Sequence, residues 1–226
     1  SGNATGIIES SKSNLEVQFF DPFTVPEIVF SEIMYRSPVS GNNDSLEYIE
    51  LFNFGTIDAD LSNYTFSGIT YTIPNGTILV SGQYLVVAKN ASTILNMFGV
   101  TALQWNTGST NNLSNTGEAV VLRTFWGATV DSVFYSSTAP WPAQAAGNGT
   151  SIALCDPNSD NTLASNWAAS ASVTTYIINA KTLTGSPGTE DIVCSVEVLT
   201  DRIKETSITV FPNPSTGKFT FQIEDS

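Results

Sequence analysis

Histidine is absent from the 226-residue sequence. That removes the commonest general base, the commonest metal ligand and the side chain that changes charge near neutral pH. Lysine and arginine are scarce, 8 against 21 aspartates and glutamates, for a formal charge of −13. A chain so acidic repels nucleic acid and anionic membranes, and its few cations are too scattered to form a basic patch. Charged residues of both signs make up only 13%, so the surface must rely on Asn, Ser, Thr and Gly. That balance suits an extracellular β-protein better than a cytosolic enzyme. No run approaches ~20 apolar residues, so no stretch spans a membrane as a helix. No signal-peptide pattern opens the sequence, and Ser1-Gly2 fits what remains after a removed leader or tag. The two cysteines, Cys155 and Cys194, permit one disulfide and no thiolate metal cage. Without histidine and without a Gly-x-Ser-x-Gly turn, no serine is activated as a nucleophile. The glycines sit singly, so no phosphate-cradling loop is expected.

What the chain does have is β-pattern. An apolar share of 41% is enough to bury a core, and the length suits one sizeable domain, alone or with appendages. Residues 47–53 alternate, with Ile49 and Leu51 on one face and Tyr48, Glu50 and Phe52 on the other, the period of a half-buried strand. Residues 28–35 are β-branched and aromatic with apolar side chains on both faces. That fits either burial on two sides or an end-on position. Pro38, Gly41, Asn42, Asn43 and Asp44 break the pattern between the two runs, as turn residues do. Pro74-Asn75-Gly76-Thr77 marks a tight turn, and residues 84–88 read as a core strand. Asn90 caps a short helix with Ile94, Leu95 and Phe98 on one side and Gly99 just past its end. Residues 118–124 and 129–135 predict a hairpin with Trp126 and Gly127 at its turn. Residues 151–155 and 174–178 add further strands. About nine short strands with one short helix make the fold class all-β, a sandwich rather than an α/β sheet.

Several pieces together resemble the lamin tail domain, an immunoglobulin-like β-sandwich that ends nuclear lamins and also occurs in bacterial surface and secreted proteins. They are Ser31-Glu32-Ile33-Met34-Tyr35, Glu47-Tyr48-Ile49-Glu50-Leu51-Phe52-Asn53, Asp60-Leu61-Ser62-Asn63-Tyr64 and Tyr71-Thr72-Ile73-Pro74-Asn75-Gly76-Thr77. Further on come Gly82-Gln83-Tyr84-Leu85-Val86-Val87-Ala88, Asp131-Ser132-Val133-Phe134-Tyr135, Pro140-Trp141-Pro142 and Asn166-Trp167. The resemblance runs from about residue 27 to about residue 189. It implies a fold and no catalytic residues. The expected organisation is an N-terminal lead or edge segment over residues 1–26, the sandwich over 27–189 and a segment different in kind over 190–226.

That last segment holds Val210-Phe211-Pro212-Asn213-Pro214-Ser215-Thr216-Gly217-Lys218-Phe219-Thr220. It resembles the opening of the C-terminal sorting domain that directs cargo to the type IX secretion machinery of certain Gram-negative bacteria. Such a domain continues for several more strands, so a truncated start is expected here; an ordinary Pro-bounded hairpin is the plainer reading. Export implies a non-reducing environment in which Cys155 and Cys194 form a disulfide tying the outgoing chain to the sandwich edge. Two separate buried thiols are the alternative.

Candidate sites are few. Asp156, Asn158 and Asp160 place oxygen ligands at alternate positions, as calcium loops do. However, Asn161 and Trp167 stand where an EF-hand needs Gly and Glu, and Asx-turns explain the loop as well. No other cofactor is implied. Glu32, Glu47 and Glu50 could supply a glycosidase pair, or they could be solvated strand positions or carboxylates bonded to loop amides. Trp105 and Trp126, at loop edges, are the candidates for stacking on a sugar; ordinary partial burial is the alternative. Asp44-Ser45-Leu46 looks like the O-glycan acceptor pattern of bacteria with type IX secretion, which makes Ser45 a candidate glycan site. The Asn-x-Ser/Thr sequons at Asn3, Asn63, Asn75, Asn90, Asn112 and Asn148 are idle on that reading. The sequence thus predicts a non-catalytic, secreted or surface-displayed module for adhesion or accessory binding to a surface glycan or protein. A module appended to an extracellular hydrolase or nuclease and a carbohydrate-binding module are the alternatives.

Overall fold

A computed structural model describes residues 24–39, 44–105 and 111–194. The lead segment, apart from its last three residues, and the resemblance at residues 210–220 lie outside them. The first apolar run forms β1 (Ile28–Met34), every residue of which is buried. The alternating run forms its antiparallel neighbour β2 (Tyr48–Asn53). Then come β3 (Ala59–Asp60), β4 (Thr65–Ser67), β5 (Tyr71–Thr72), β6 (Ile78–Leu79) and β7 (Tyr84–Ala88). Helix α1 (Ala91–Phe98) leads to β8 (Leu103–Gln104), β9 (Gly117–Arg123) and β10 (Thr129–Ser136). After these come β11 (Ile152–Leu154), β12 (Trp167–Ala169), β13 (Val173–Ile178) and β14 (Lys181–Thr184).

One sheet has six strands in the order β12-β11-β1-β2-β7-β8, and the other has four in the order β10-β9-β4-β5. Among the described residues the all-β sandwich with one short α-helix is therefore observed. The described residues hold fourteen strands rather than about nine. The surplus is mostly two-residue pairs such as β3 with β6, too short to leave a periodic trace.

The core lies between the sheets. Phe30, Ile33, Ile49, Leu51 and Val87 meet Phe66, Val120, Leu122, Val133 and Tyr135 across it. Tyr35 stacks on Tyr135 at 4.6 Å between ring centroids and so ties β1's end to the opposite sheet. Trp141 and Trp167 pack together in the same core, with centroids 5.9 Å apart.

The six-stranded sheet is covered on its outer side too, which explains why β1 is apolar on both faces. Met34, Tyr48, Val86 and Ala88 form a second cluster with Ile94 of α1 and Leu183 of β14. Asn90 caps α1, its side chain accepting from the Thr93 N–H at 2.9 Å, and Gly99 ends it at φ 75°. Ile94 is buried, but Leu95 is 50% exposed. The helix turns Ile94, Met97 and Phe98 inward, and Leu95 falls outside that arc. The strand expected at residues 174–178 is present, within β13. Among the described residues β13 pairs with β14 alone, as a separate two-stranded sheet laid over the outer face.

Candidate functional site

The outer face of the six-stranded sheet carries carboxyl groups where a sandwich strand normally meets water. The register sets Glu32 of β1 opposite Glu50 of β2, beside a bulge between Phe30 and Glu32. Both glutamates are buried. After β14 the chain crosses directly over them as a strap, residues 185–191. A Cβ on Gly185 would stand 2.6 Å from the Tyr48 hydroxyl oxygen and 3.2 Å from Glu32 Oε1, so only glycine lets the backbone approach this closely.

Side chains then fasten the strap. Glu32 accepts from the Tyr48 hydroxyl at 2.6 Å and from the Ser151 hydroxyl. From the strap it accepts the Ser186 N–H at 3.0 Å and the Ser186 hydroxyl at 3.1 Å. Glu50 accepts from the Ser31 hydroxyl at 2.7 Å and from the Gly188 N–H. Asp191 closes the far end, accepting the hydroxyls of Ser170 and Ser186 and the N–H groups of Ala171 and Val193.

Burial pushes the Glu32 carboxyl up to about 6, against the opposing hydrogen bonds from Ser151, Tyr48 and Ser186. Burial, followed by the charge of Glu32, holds Glu50 well above its ordinary 4.5. Two carboxyls sharing a dry site do not both ionise readily, so each raises the other. Asp191 behaves oppositely. Burial raises it, but the four donors, Ser170 foremost, outweigh that and leave it below the usual range. A third buried glutamate, Glu47, accepts the Leu113 N–H at 3.1 Å and lies 3.8 Å from the Lys89 ammonium. Burial still pushes it up to about 7.

Of the readings open for these glutamates, bonding to loop amides is the one the geometry matches. Glu32 is wrapped by donors on every side, an arrangement that fastens chain rather than admits substrate. Solvated strand positions are ruled out by their burial.

Beside the strap the outer face stays partly open. Val29, Phe52 and Tyr84 fall in one cross-strand row. They floor a cavity of about 240 Å³ walled by Glu50, Asp191 and Glu190. Phe52 and Tyr84 stack with centroids 4.5 Å apart. Cys155, also on the wall, is joined to Cys194 across 39 residues, with Cα atoms 4.8 Å apart. The bond pins the chain where it leaves the strap.

The other candidate residues fall elsewhere. Trp105 is fully buried in the inner core, its indole N–H donating to the Asn111 carbonyl at 3.2 Å. It is not a surface platform, because the chain after β8 packs its ring inward rather than leaving it at a loop edge. Trp126 is half-buried at the β9–β10 turn, edge-on to Phe125 at 4.7 Å and to Tyr64 at 6.4 Å. Asp156 caps its own turn by accepting the Asn158 N–H, and Asp160 does the same with the Thr162 N–H and hydroxyl. Asn161, in the same loop, donates to both oxygens of Asp131 and accepts the Trp167 indole N–H at 2.9 Å. The loop is thus tied into the sandwich by its own polar side chains. Ser45 is half-exposed in a turn whose preceding residue, Asp44, accepts from the Ser37 N–H and hydroxyl, both at 2.6 Å.

The sequence reading did not single out Phe52, Tyr84, Glu190 or Asp191. One signal was available: the outward side of residues 48–52 is as aromatic as the inward side is aliphatic, which asks for a cover. No helix among the described residues is long and apolar enough to cross a membrane. No curated protein matches the chain. The family model described as Lamin Tail Domain matches residues 22–137, just over half of the chain. Its span carries β1 to β10, and β11 and β12 extend the same six-stranded sheet beyond it. On that match the chain belongs to the lamin tail domain family.

Proposed function

We propose that the protein is a non-catalytic binding module of an exported bacterial protein, displayed at the cell surface or released, where it serves adhesion or accessory attachment. Lamin tail domains are generally non-catalytic, and the buried carboxyls here fasten backbone. The observation that carries the export reading is the Cys155–Cys194 bond in a chain that holds no other cysteine, since such bonds persist outside reducing compartments. The acidic, histidine-free, Asn/Ser/Thr-rich surface supports the same reading. So does the resemblance of residues 210–220 to a type IX sorting domain. A protein ligand is favoured over a glycan, because the burial of Trp105 removes half of the sugar-stacking pair.

The test is fractionation of the source cells followed by alkylation and mass spectrometry of the recovered protein. The expected result is protein at the surface or in the medium, with neither cysteine alkylated before reduction. Recovery in the cytosol with two free thiols would refute the reading.

A further inference from the structure

We propose that the cavity beside the strap receives a basic side chain, lysine or arginine, carried by a partner protein. The inference rests on the reading of the chain as a binding module and adds the chemistry of its ligand.

The floor is apolar and aromatic: Val29 with the stacked rings of Phe52 and Tyr84. Aromatic faces attract cations, and the methylene stem of a lysine or arginine covers apolar surface while its head reaches a polar group. The wall supplies that group. Glu50 and Asp191 line the interior, Glu190 stands exposed at the mouth, and among the described residues no lysine or arginine lines the cavity. Asp191 is ionised and held by four donors, so its charge is fixed in place before any ligand arrives. The Tyr84 hydroxyl is pushed up to about 12 by burial and by Glu50, Glu190 and Glu32, which places the ring in the field of these carboxyls. At about 240 Å³ the space is below the range usual for small-molecule sites, ~300–1,000 Å³, and suits one inserted side chain better than an oligosaccharide. The formal charge of −13 would draw basic partners from a distance.

The test is a titration of the full isotope-labelled chain, followed by amide shifts at Tyr84 and residues 188–191. The probes are the N-acetyl methylamides of lysine, arginine and uncharged norleucine. The expected result is a saturating shift with at least one basic probe and about tenfold weaker binding of norleucine. Tyr84→Leu, which keeps apolar bulk and removes the ring, should weaken the basic probe about tenfold. Glu190→Gln, at an exposed position that cannot disturb the core, should weaken it about threefold. Equal binding of norleucine, shifts confined to other residues, or no saturation would overturn the proposal. Binding that appears only after Arg202→Ala and Lys204→Ala would overturn it too, by giving the cavity to the chain's own continuation. None of these outcomes bears on export, which the fractionation tests separately.

Discussion

The inner face of the six-stranded sheet is buried and the outer face largely so, and different chemistry covers each. The inner face meets the second sheet through aliphatic and aromatic side chains, and its contacts are almost wholly apolar. The outer face carries Glu32 and Glu50 and is covered by α1 and by two pieces that arrive later in the chain, the β13–β14 hairpin and the strap. The inner face is held by removal of apolar area from water, which is non-directional and tolerant of small shifts. The outer face depends on hydrogen bonds whose donors must sit in place, because an unmade bond to a buried carboxyl is costly. One face therefore builds the sandwich, and the other decides whether the C-terminal strap stays closed beside the cavity.

Three variants separate the faces, and their expected effects are graded. Cys155→Ala with Cys194→Ala removes the covalent tie at the strap's exit. It should lower unfolding free energy by about 4 kcal/mol on the chain-entropy estimate for a loop of this length. Denaturant melts with and without reductant should show the same loss in the wild-type chain and none in the variant. Leu51→Ala opens a void in the inner core and should cost about 3 kcal/mol. Its signature is a lower denaturation midpoint at every pH, since no titrating group is touched. Asn90→Ala, which removes the α1 cap over the outer face, should cost about 1 kcal/mol. Hydrogen exchange should quicken along α1 while the amides of β1 and β2 stay protected.

The difference between the faces also explains what could be read from the sequence. Ile49 and Leu51 announce the inner face because strand period is a local signal. The α1 boundaries are legible for the same reason, since Asn90 and Gly99 act within a turn of the residues they cap. The strap is not legible. The partners of Glu32 and Glu50 at Ser186 and Gly188 are 154 and 138 residues away. No period or spacing encodes a contact of that range. Thr184-Gly185-Ser186-Pro187-Gly188 reads as a domain-ending turn, and nothing in it says that Gly185 must pass over Tyr48. Trp105 misled for a related reason. A tryptophan at the edge of a polar stretch looks exposed until the fold brings the Asn111 carbonyl to its indole N–H.

Carboxyls that burial biases toward the protonated form fasten the strap, and this gives the fold's stability a definite dependence on pH. Glu32, raised to about 6, and Glu47, raised to about 7, bind protons more tightly folded than unfolded, and Glu50 is raised well above 4.5 in the same sense. Their contribution is complete below the ordinary value of 4.5 and is lost as pH rises through the folded values. Asp191, lowered, acts oppositely and loses its contribution as pH falls below its ordinary 3.8. The most direct measurement is unfolding free energy against pH for the wild-type chain and for Glu50→Gln. The variant keeps an acceptor for the Gly188 N–H and offers its amide to Ser31, but cannot ionise. The account predicts a wild-type maximum near about pH 5 with a decline toward about pH 8, and a clearly shallower decline in Glu50→Gln. Equal slopes in the two proteins, or wild-type stability that rises over that interval, would contradict it.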